Sequence, residues 1–177
     1  MKYEGKGQGE IRSGNYTVHY SVGERAEKGV AIVVHKSIVR SVVKKIVYND
    51  RIIAIKLQAE PVSILMMQVY MPTSEHEVDE AEELYDIIEE ILEEKGKVDT
   101  NTIIMGEWNS VVRDESYRNI AGPHGLGRKN HRGQMLINFC ERNGLIVTNT
   151  WLRKPKRRLY TWKAPGDQSD ISWTTYL

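Results

Sequence analysis

The sequence has little cysteine and no long apolar run. Its 177 residues include one cysteine, Cys140, which excludes an internal disulfide. No run approaches the ~18 to 20 apolar residues of a membrane-spanning helix, and residues 1–10 contain no apolar segment of the secretory type. We therefore expect an intracellular protein, nuclear or cytoplasmic and not secreted, with no membrane partner.

Net charge is also small, at +1, but it is unevenly distributed. Lys and Arg outnumber Asp and Glu by 11 to 6 in residues 1–74 and by 12 to 6 in residues 101–177, whereas residues 75–100 hold 2 against 12. The negative charge is concentrated in one segment, so the remaining surface is basic and suited to a polyanion.

What is present fits one globular domain. The chain is 40% hydrophobic and 28% charged, which is enough apolar material for a core in a chain of this length. No repeat, low-complexity tract or clear linker interrupts it. We predict a single domain across residues 1–177.

Most of the chain has the pattern of β-strands. Short segments rich in Val, Ile and Tyr are separated by Gly, Asn-Asp or Glu-Pro breaks; they cover residues 16–20, 30–34, 38–47, 52–57 and 62–69. Residues 48–51 and 59–61 have the composition of hairpin turns. Further strands are predicted at 101–105, 145–148 and 171–176.

Two segments have helical periodicity instead. From Ala81 onward apolar residues recur every three or four positions, Ser74 and Glu77 form a capping-box pair, and Gly96 suits a C-terminal stop. Residues 133–143 predict a second helix closed by Gly144, with Cys140 inward as a core residue rather than a nucleophile. Many hairpins with a few helices indicate an α+β fold.

Polar side chains lie at the ends of two of the predicted strands. Glu107 and Asn109 come directly after strand 101–105, and Asp170 directly precedes strand 171–176. Carboxylate and carboxamide oxygens can bind Mg²⁺ and position a water, because Mg²⁺ prefers a compact octahedron of oxygen ligands. The pattern is typical of a metal-assisted phosphodiesterase.

Seven short motifs occur in a fixed order. They are residues 68–73 (Gln-Val-Tyr-Met-Pro-Thr), 106–109 (Gly-Glu-Trp-Asn), 125–127 (Gly-Leu-Gly) with Asn130 and Gly133 after them, 136–140, 148–150 (Thr-Asn-Thr), 160–162 (Tyr-Thr-Trp) and 168–170 (Gln-Ser-Asp). In this order the chain resembles the endonuclease/exonuclease/phosphatase superfamily, and within it LINE-type retrotransposon endonuclease domains and craniofacial development protein 2-like proteins.

The resemblance implies a fold and an activity. The expected fold is a four-layer α/β/β/α sandwich, lacking the first strands and the last segment. The expected activity is cleavage of a DNA backbone with Mg²⁺ or Mn²⁺. By position, Tyr70 would contact the scissile phosphate, Glu107 would orient or deprotonate the attacking water, Asn109 would bind phosphate, and Asp170 would orient the site. Glu107 and Asp170 are the candidate metal ligands.

Basic residues outside these four positions are candidates for DNA contact. Seven of them are expected near nucleic acid: Arg128, Lys129, Arg153, Lys154, Lys156, Arg157 and Arg158. Residues 153–158 hold five cations in six positions, which fits either a solvated loop or phosphate contact, and we favour phosphate contact.

Three features differ from the family pattern. The family's metal-binding glutamate would fall before Met1, and its Asp-His pair after Leu177. Glu107 is one methylene longer than the family's aspartate, which moves the carboxylate by about 1 Å, and a misplacement of that size can cost on the order of 10²-fold in rate. We therefore expect weak or no cleavage by this polypeptide. The alternative is a catalytically silent nucleic-acid-binding or protein-interaction remnant of the same fold.

Overall fold

The structure, a computed structural model, describes residues 7–23, 28–73, 78–94, 100–112, 115–125, 127–155 and 174–176. The chain divides into two compact units. The first comprises residues 1–70 and 95–104, and the second comprises residues 71–94 and 105–177. The prediction of one domain over 1–177 stays a prediction.

The described residues contain eight β-strands and two α-helices. In chain order they are β1 (Gly7–Ser13), β2 (Tyr16–Val22), β3 (Gly29–His35), β4 (Val42–Val47), β5 (Ile52–Leu57), β6 (Ser63–Tyr70), α1 (Val78–Glu94), β7 (Thr100–Glu107), α2 (His131–Asn143) and β8 (Thr174–Tyr176). Short 3₁₀ turns cover Val39–Ser41 and Thr148–Thr150. No described helix has the length and apolarity needed to cross a bilayer.

The strands form two sheets. One has three strands in the order β1-β2-β3, and the other has five in the order β4-β5-β6-β7-β8. The neighbouring strands β1 to β3 and β4 to β6 pair antiparallel, as expected when consecutive strands are joined by short turns. The turns predicted at 48–51 and 59–61 connect β4 to β5 and β5 to β6.

The core of the first unit arises from strand alternation. Every second residue of β3 and of β5 enters one buried cluster, because successive side chains of a strand point to opposite faces; the members are Val30, Ile32, Val34, Ile53, Ile55 and Leu57. Most of β5 is buried on both faces, which requires that other parts of the chain cover both sides of this strand.

The second unit has an aromatic core. Tyr85 of α1, Trp108 after β7 and Phe139 of α2 pack with ring centroids 4.9 to 6.1 Å apart. Cys140 lies in the same interior, and burial raises the pKa of its thiol to about 12. The prediction that Cys140 is a core residue is confirmed.

Polar contacts join the two helices on their outer side. Glu89 of α1 accepts hydrogen bonds from Arg142 (2.9 Å) and Asn143 (2.8 Å) of α2. Burial alone would raise the pKa of Glu89, but these two donors and the Arg142 charge together lower it. Ion pairs at this degree of exposure contribute about 1 kcal/mol or less.

Several boundaries agree with the sequence. The strand at 52–57 and the end of α2 at Asn143 are as predicted, and Gly144 adopts the expected left-handed conformation with φ 63°. The strands at 16–20, 30–34, 62–69 and 101–105 are confirmed with ends that move by one or two residues. Ser74, Glu77, Gly96 and residues 171–173 lie outside the described residues.

Two strand predictions are wrong in part or whole. Residues 38–41 are not strand, because the N–H of Ser41 bonds to the carbonyl of Ile38 at 2.9 Å and closes a 3₁₀ turn before β4. Residues 145–148 are not a strand either. Val147 makes an isolated parallel bridge to Ala121, and a 3₁₀ turn begins at Thr148.

Candidate active site

Glu107 lies where the sequence placed it, at the last position of β7. Its carbonyl accepts a hydrogen bond from the backbone N–H of Met71 at 2.8 Å. Met71 is buried, so this bond fixes the end of the strand from the interior side. The half-buried carboxylate of Glu107 is therefore carried by a well-anchored backbone.

Asn109 is held next to Glu107 by two contacts. Its backbone N–H donates to Glu107 Oε1 over 3.4 Å, and its side-chain Nδ2 donates to the carbonyl of Met71 at 2.7 Å. A carbonyl can only accept, so the amide nitrogen must be the atom facing Met71. This bond orients the carboxamide, whose nitrogen carries a second N–H and whose oxygen is an acceptor.

The backbone at Asn109 is left-handed, with φ 47°. Asparagine enters this region more readily than most residues, because its short polar side chain bonds locally. This conformation directly follows β7, where the backbone N–H of Asn109 contacts Glu107 and its carboxamide contacts Met71.

Trp108 anchors the segment between the two polar residues. Its side chain is 1% exposed and packs against both Tyr85 and Phe139. Burial of a large aromatic ring contributes several kcal/mol to an anchor of this kind. Desolvation in this cluster raises the pKa of the Tyr85 hydroxyl, so Tyr85 acts as a packing residue at neutral pH.

The loop after Asn109 is fastened to the first turn of α2. Asn130 caps this helix, and its Oδ1 accepts from the N–H of Gly133 at 2.7 Å and from that of Val111 at 3.0 Å. A Cβ on Gly133 would overlap the carbonyl oxygen of Val111. Only glycine therefore allows the helix and the loop to approach so closely.

Tyr70 belongs to the first unit and ends β6, as predicted. Its ring is partly buried against the core cluster. The Arg51 guanidinium lies 5.4 Å from the ring centroid, and Arg51 Nη1 donates to the carbonyl of Tyr70 at 3.1 Å. The carbonyl of Arg51 in turn accepts from the N–H of Tyr70 at 2.9 Å. Tyr70 therefore has a packing role in the first unit, whatever its role toward a phosphate.

The remaining predicted residues divide into two groups. Arg128, Lys129, Arg153 and Lys154 are exposed, and Lys129 Nζ donates to Gln134. Asp170, Lys156, Arg157 and Arg158 lie outside the described residues. The structure thus brings Glu107 and Asn109 together, and the roles of all the predicted site residues stay predictions.

The oxygens at the end of β7 are chemically suited to Mg²⁺. Within the ranges that the structure describes, no three His, Cys, Asp or Glu side chains form a cluster, and Glu107 is the carboxylate carried by the last residue of β7. Mg²⁺ is usually held by one or two carboxylates together with waters and substrate phosphates. A site of this sparse kind fits Glu107 with a neighbouring carboxamide.

Four residues that hold the predicted site residues or their loop in place were not assigned a role from the sequence. Met71 contributes its backbone, which no side-chain pattern reveals. Arg51 sits in a turn that was interpreted only as a hairpin connection. Asn130 and Gly133 were part of the ordered motifs, and the Asn-x-x-Gly spacing before a helix was the available signal for a cap.

Comparison with known proteins relates this chain to two curated relatives. It is 36% identical over 160 residues to craniofacial development protein 2 of Bos taurus and 34% identical over 160 residues to the protein of that name in Tragulus javanicus, with 90% of this chain covered in each case. The matched part is 27% and 28% of those proteins, so the chain spans about a quarter of the length of the curated relatives it matches. No protein-family model matches it.

A solved structure has the same fold. The endonuclease domain of TRAS1, a telomere-specific non-LTR retrotransposon, matches with a TM-score of 0.60 over 93% of this chain and 67% of that chain, at 13% sequence identity. At this identity the likeness concerns the fold. An endonuclease-like α+β fold, expected from the ordered motifs, is confirmed.

Proposed function

We propose that this chain carries part of the site of a metal-dependent DNA phosphodiesterase of the retrotransposon-endonuclease type. The supporting observation is the pair Glu107 and Asn109, both fixed at the end of β7 by hydrogen bonds to the backbone of Met71. The endonuclease-like fold supports the same reading. Cleavage by this polypeptide is expected to be slow, because Glu107 replaces a shorter carboxylate.

The two side chains have complementary roles in this proposal. The Glu107 carboxylate accepts the proton of the attacking water. The second N–H of Asn109 donates to a phosphate oxygen as charge builds up there. A donor already oriented before the reaction contributes about 10²- to 10³-fold in rate, and the bond to Met71 supplies this orientation.

Other predicted residues complete the site. Tyr70 contacts the scissile phosphate and Asp170 orients the reacting groups. Glu107 and Asp170 would hold Mg²⁺ or Mn²⁺, and the bound metal would neutralise charge on the phosphate. DNA is the partner, in the nucleus or cytoplasm, and the seven candidate cations contact its backbone.

The test is nicking of supercoiled plasmid in Mg²⁺ and in Mn²⁺. Asn109→Ala and Asp170→Ala should each lower the nicking rate by about 10²-fold. Asn138→Ala is the matched control, because it removes an exposed carboxamide of α2 whose bond is to Gln134. Equal rates in wild type and Asn109→Ala would contradict the proposed role of Asn109.

A silent nucleic-acid-binding module is the second candidate. It is favoured by the four exposed cations Arg128, Lys129, Arg153 and Lys154. Salt-sensitive binding of DNA with no nicking in either metal would support this candidate over the enzyme. A wild-type protein that neither nicks nor binds DNA would overturn both.

A further inference from the structure

Trp151 is an exposed aromatic residue in a rigid backbone setting. It follows the 3₁₀ turn Thr148–Thr150, and its N–H donates to the carbonyl of Thr148 at 3.1 Å. Its side chain is 43% exposed, and the next residue, Leu152, is 59% exposed. Trp151 and Leu152 therefore form an adjacent pair of exposed apolar side chains next to a hydrogen-bonded turn.

The turn that carries Trp151 is held by a buried hydroxyl. Thr150 Oγ1 accepts from the N–H of Gly122 at 2.7 Å and donates to the carbonyl of Val147 at 2.6 Å. The carbonyl of Thr150 accepts from the N–H of His124 at 2.9 Å. Three hydrogen bonds around one residue leave this backbone little freedom.

One side of the indole lies against Gly122. A Cβ on Gly122 would be 2.9 Å from both Cα and Cδ2 of Trp151 and 2.6 Å from the carbonyl oxygen of Thr150. The absence of a side chain at this position therefore lets the ring approach the backbone. The indole is supported on this side while nearly half of the residue remains open.

The surroundings of Trp151 in the sequence are strongly basic. Residues 142–166 contain seven Lys and Arg and no Asp or Glu. Arg153 and Lys154, which follow Trp151 and Leu152 directly, are both exposed. Complementarity of charge therefore selects a polyanion as the molecule that covers this surface.

We propose that Trp151 is a stacking platform for an unstacked base of DNA, with Leu152 beside it and with Arg153 and Lys154 contacting the adjacent phosphates. Every base has a π-face, so an exposed indole binds it without needing a sequence. A fully paired duplex hides those faces, whereas a bulge or a single strand presents one. This inference rests on the proposed function and specifies the form of DNA that the surface takes.

The experiment measures binding in EDTA to three fluorescent probes of one sequence. They are a duplex with one bulged 2-aminopurine, the same duplex fully paired, and the single strand. Wild type should bind the bulged duplex and the single strand more tightly than the paired duplex, and should quench the 2-aminopurine. Trp151→Ala should abolish the quenching and weaken binding of the bulged duplex on the order of tenfold, with the paired duplex unaffected.

Control variants separate stacking from charge and from folding. Trp151→Phe keeps an aromatic face and should retain most of the preference for the bulge, which gives a second readout where Trp151→Ala does not fold. The double variant Arg153→Gln, Lys154→Gln should weaken all three probes and lower the dependence of affinity on salt. Circular dichroism establishes that each variant is folded.

The outcomes distinguish this inference from the function on which it rests. Binding of all three probes with unchanged affinities in Trp151→Ala would overturn stacking and leave DNA binding intact. No binding by the wild type would overturn both. If Trp151→Ala changes only self-association or the binding of a protein, the surface is a protein interface and the stacking role is overturned.

Discussion

Asn130 and Val111 are joined by a reciprocal pair of hydrogen bonds. The N–H of Val111 donates to Asn130 Oδ1 at 3.0 Å, and the N–H of Asn130 donates to the carbonyl of Val111 at 3.2 Å. The same Oδ1 caps α2 through Gly133. One side chain thus fixes both the start of the helix and the loop that follows Asn109.

Removing this side chain should cost stability at two places. We expect Asn130→Ala to lower the free energy of unfolding by about 1 to 2 kcal/mol, as for other lost helix caps. Asn130→Asp keeps an acceptor at the same position and should recover most of the loss. Urea denaturation measures both. A loss no larger than that of Asn138→Ala would show that the cap contributes little.

Gly133→Ala tests the close approach between α2 and Val111. In an unconstrained helix this change would stabilise the protein by up to about 1 kcal/mol. Here the added methyl overlaps the Val111 carbonyl, so we expect a loss of about 1 to 3 kcal/mol instead. The sign of the change in the urea midpoint shows whether Gly133→Ala lowers or raises stability. A gain in stability would mean that the loop moves away at little cost.

Cys140 should make stability fall at alkaline pH. Its pKa is raised from 9.0 to about 12 by burial, so its contribution is complete below pH 9 and is lost as pH rises toward 12. For one proton, the free energy of unfolding falls by at most about 1.4 kcal/mol per pH unit. Denaturant unfolding measured at several pH values between 8 and 10 should show that the free energy of unfolding depends less steeply on pH in Cys140→Ala than in wild type. An unchanged slope would contradict this thiol's burial.

His19 should make the free energy of unfolding fall at acidic pH. Its side chain is 4% exposed, and neither ring nitrogen has a hydrogen-bond partner in the described part of the chain. Burial lowers its pKa from 6.5, with a smaller opposing effect of Glu10, whose Oε2 lies 3.6 Å away. The stability it contributes is therefore present above pH 6.5 and lost as pH falls through the lowered pKa.

The His19 prediction has two matched variants. His19→Gln should flatten the decline in thermal midpoint on acidification below pH 6.5. Glu10→Gln removes the carboxylate that favours the charged ring and should steepen it. Identical pH profiles for His19→Gln and wild type would show that His19 takes up no proton on unfolding and would contradict its lowered pKa.

The local sequence pattern correctly predicted those elements in which nearly every residue fits the pattern of a strand or a helix. Residues 52–57 are apolar except for Lys56, and Gly144 follows the last periodic residue of a helix. These features need no distant partner, because strand alternation and helix periodicity are properties of neighbouring residues.

The pattern failed where a distant partner decides the backbone. β1 was not predicted, since Gly7–Ser13 is polar and largely exposed, and its extended form depends on pairing with β2. Residues 145–148 have β-forming side chains. Thr150 nevertheless closes a turn there, because its hydroxyl bonds to Val147 and to Gly122, which is 28 residues away.

By itself the sequence determined that Glu107 and Asn109 follow a buried strand, since the apolar run and the polar residues after it are consecutive. Only the tertiary structure decided how Asn109 is oriented, because its partner is the carbonyl of Met71, 38 residues earlier. A backbone carbonyl is common to all residues. No side-chain pattern can mark the one that a distant carboxamide will meet.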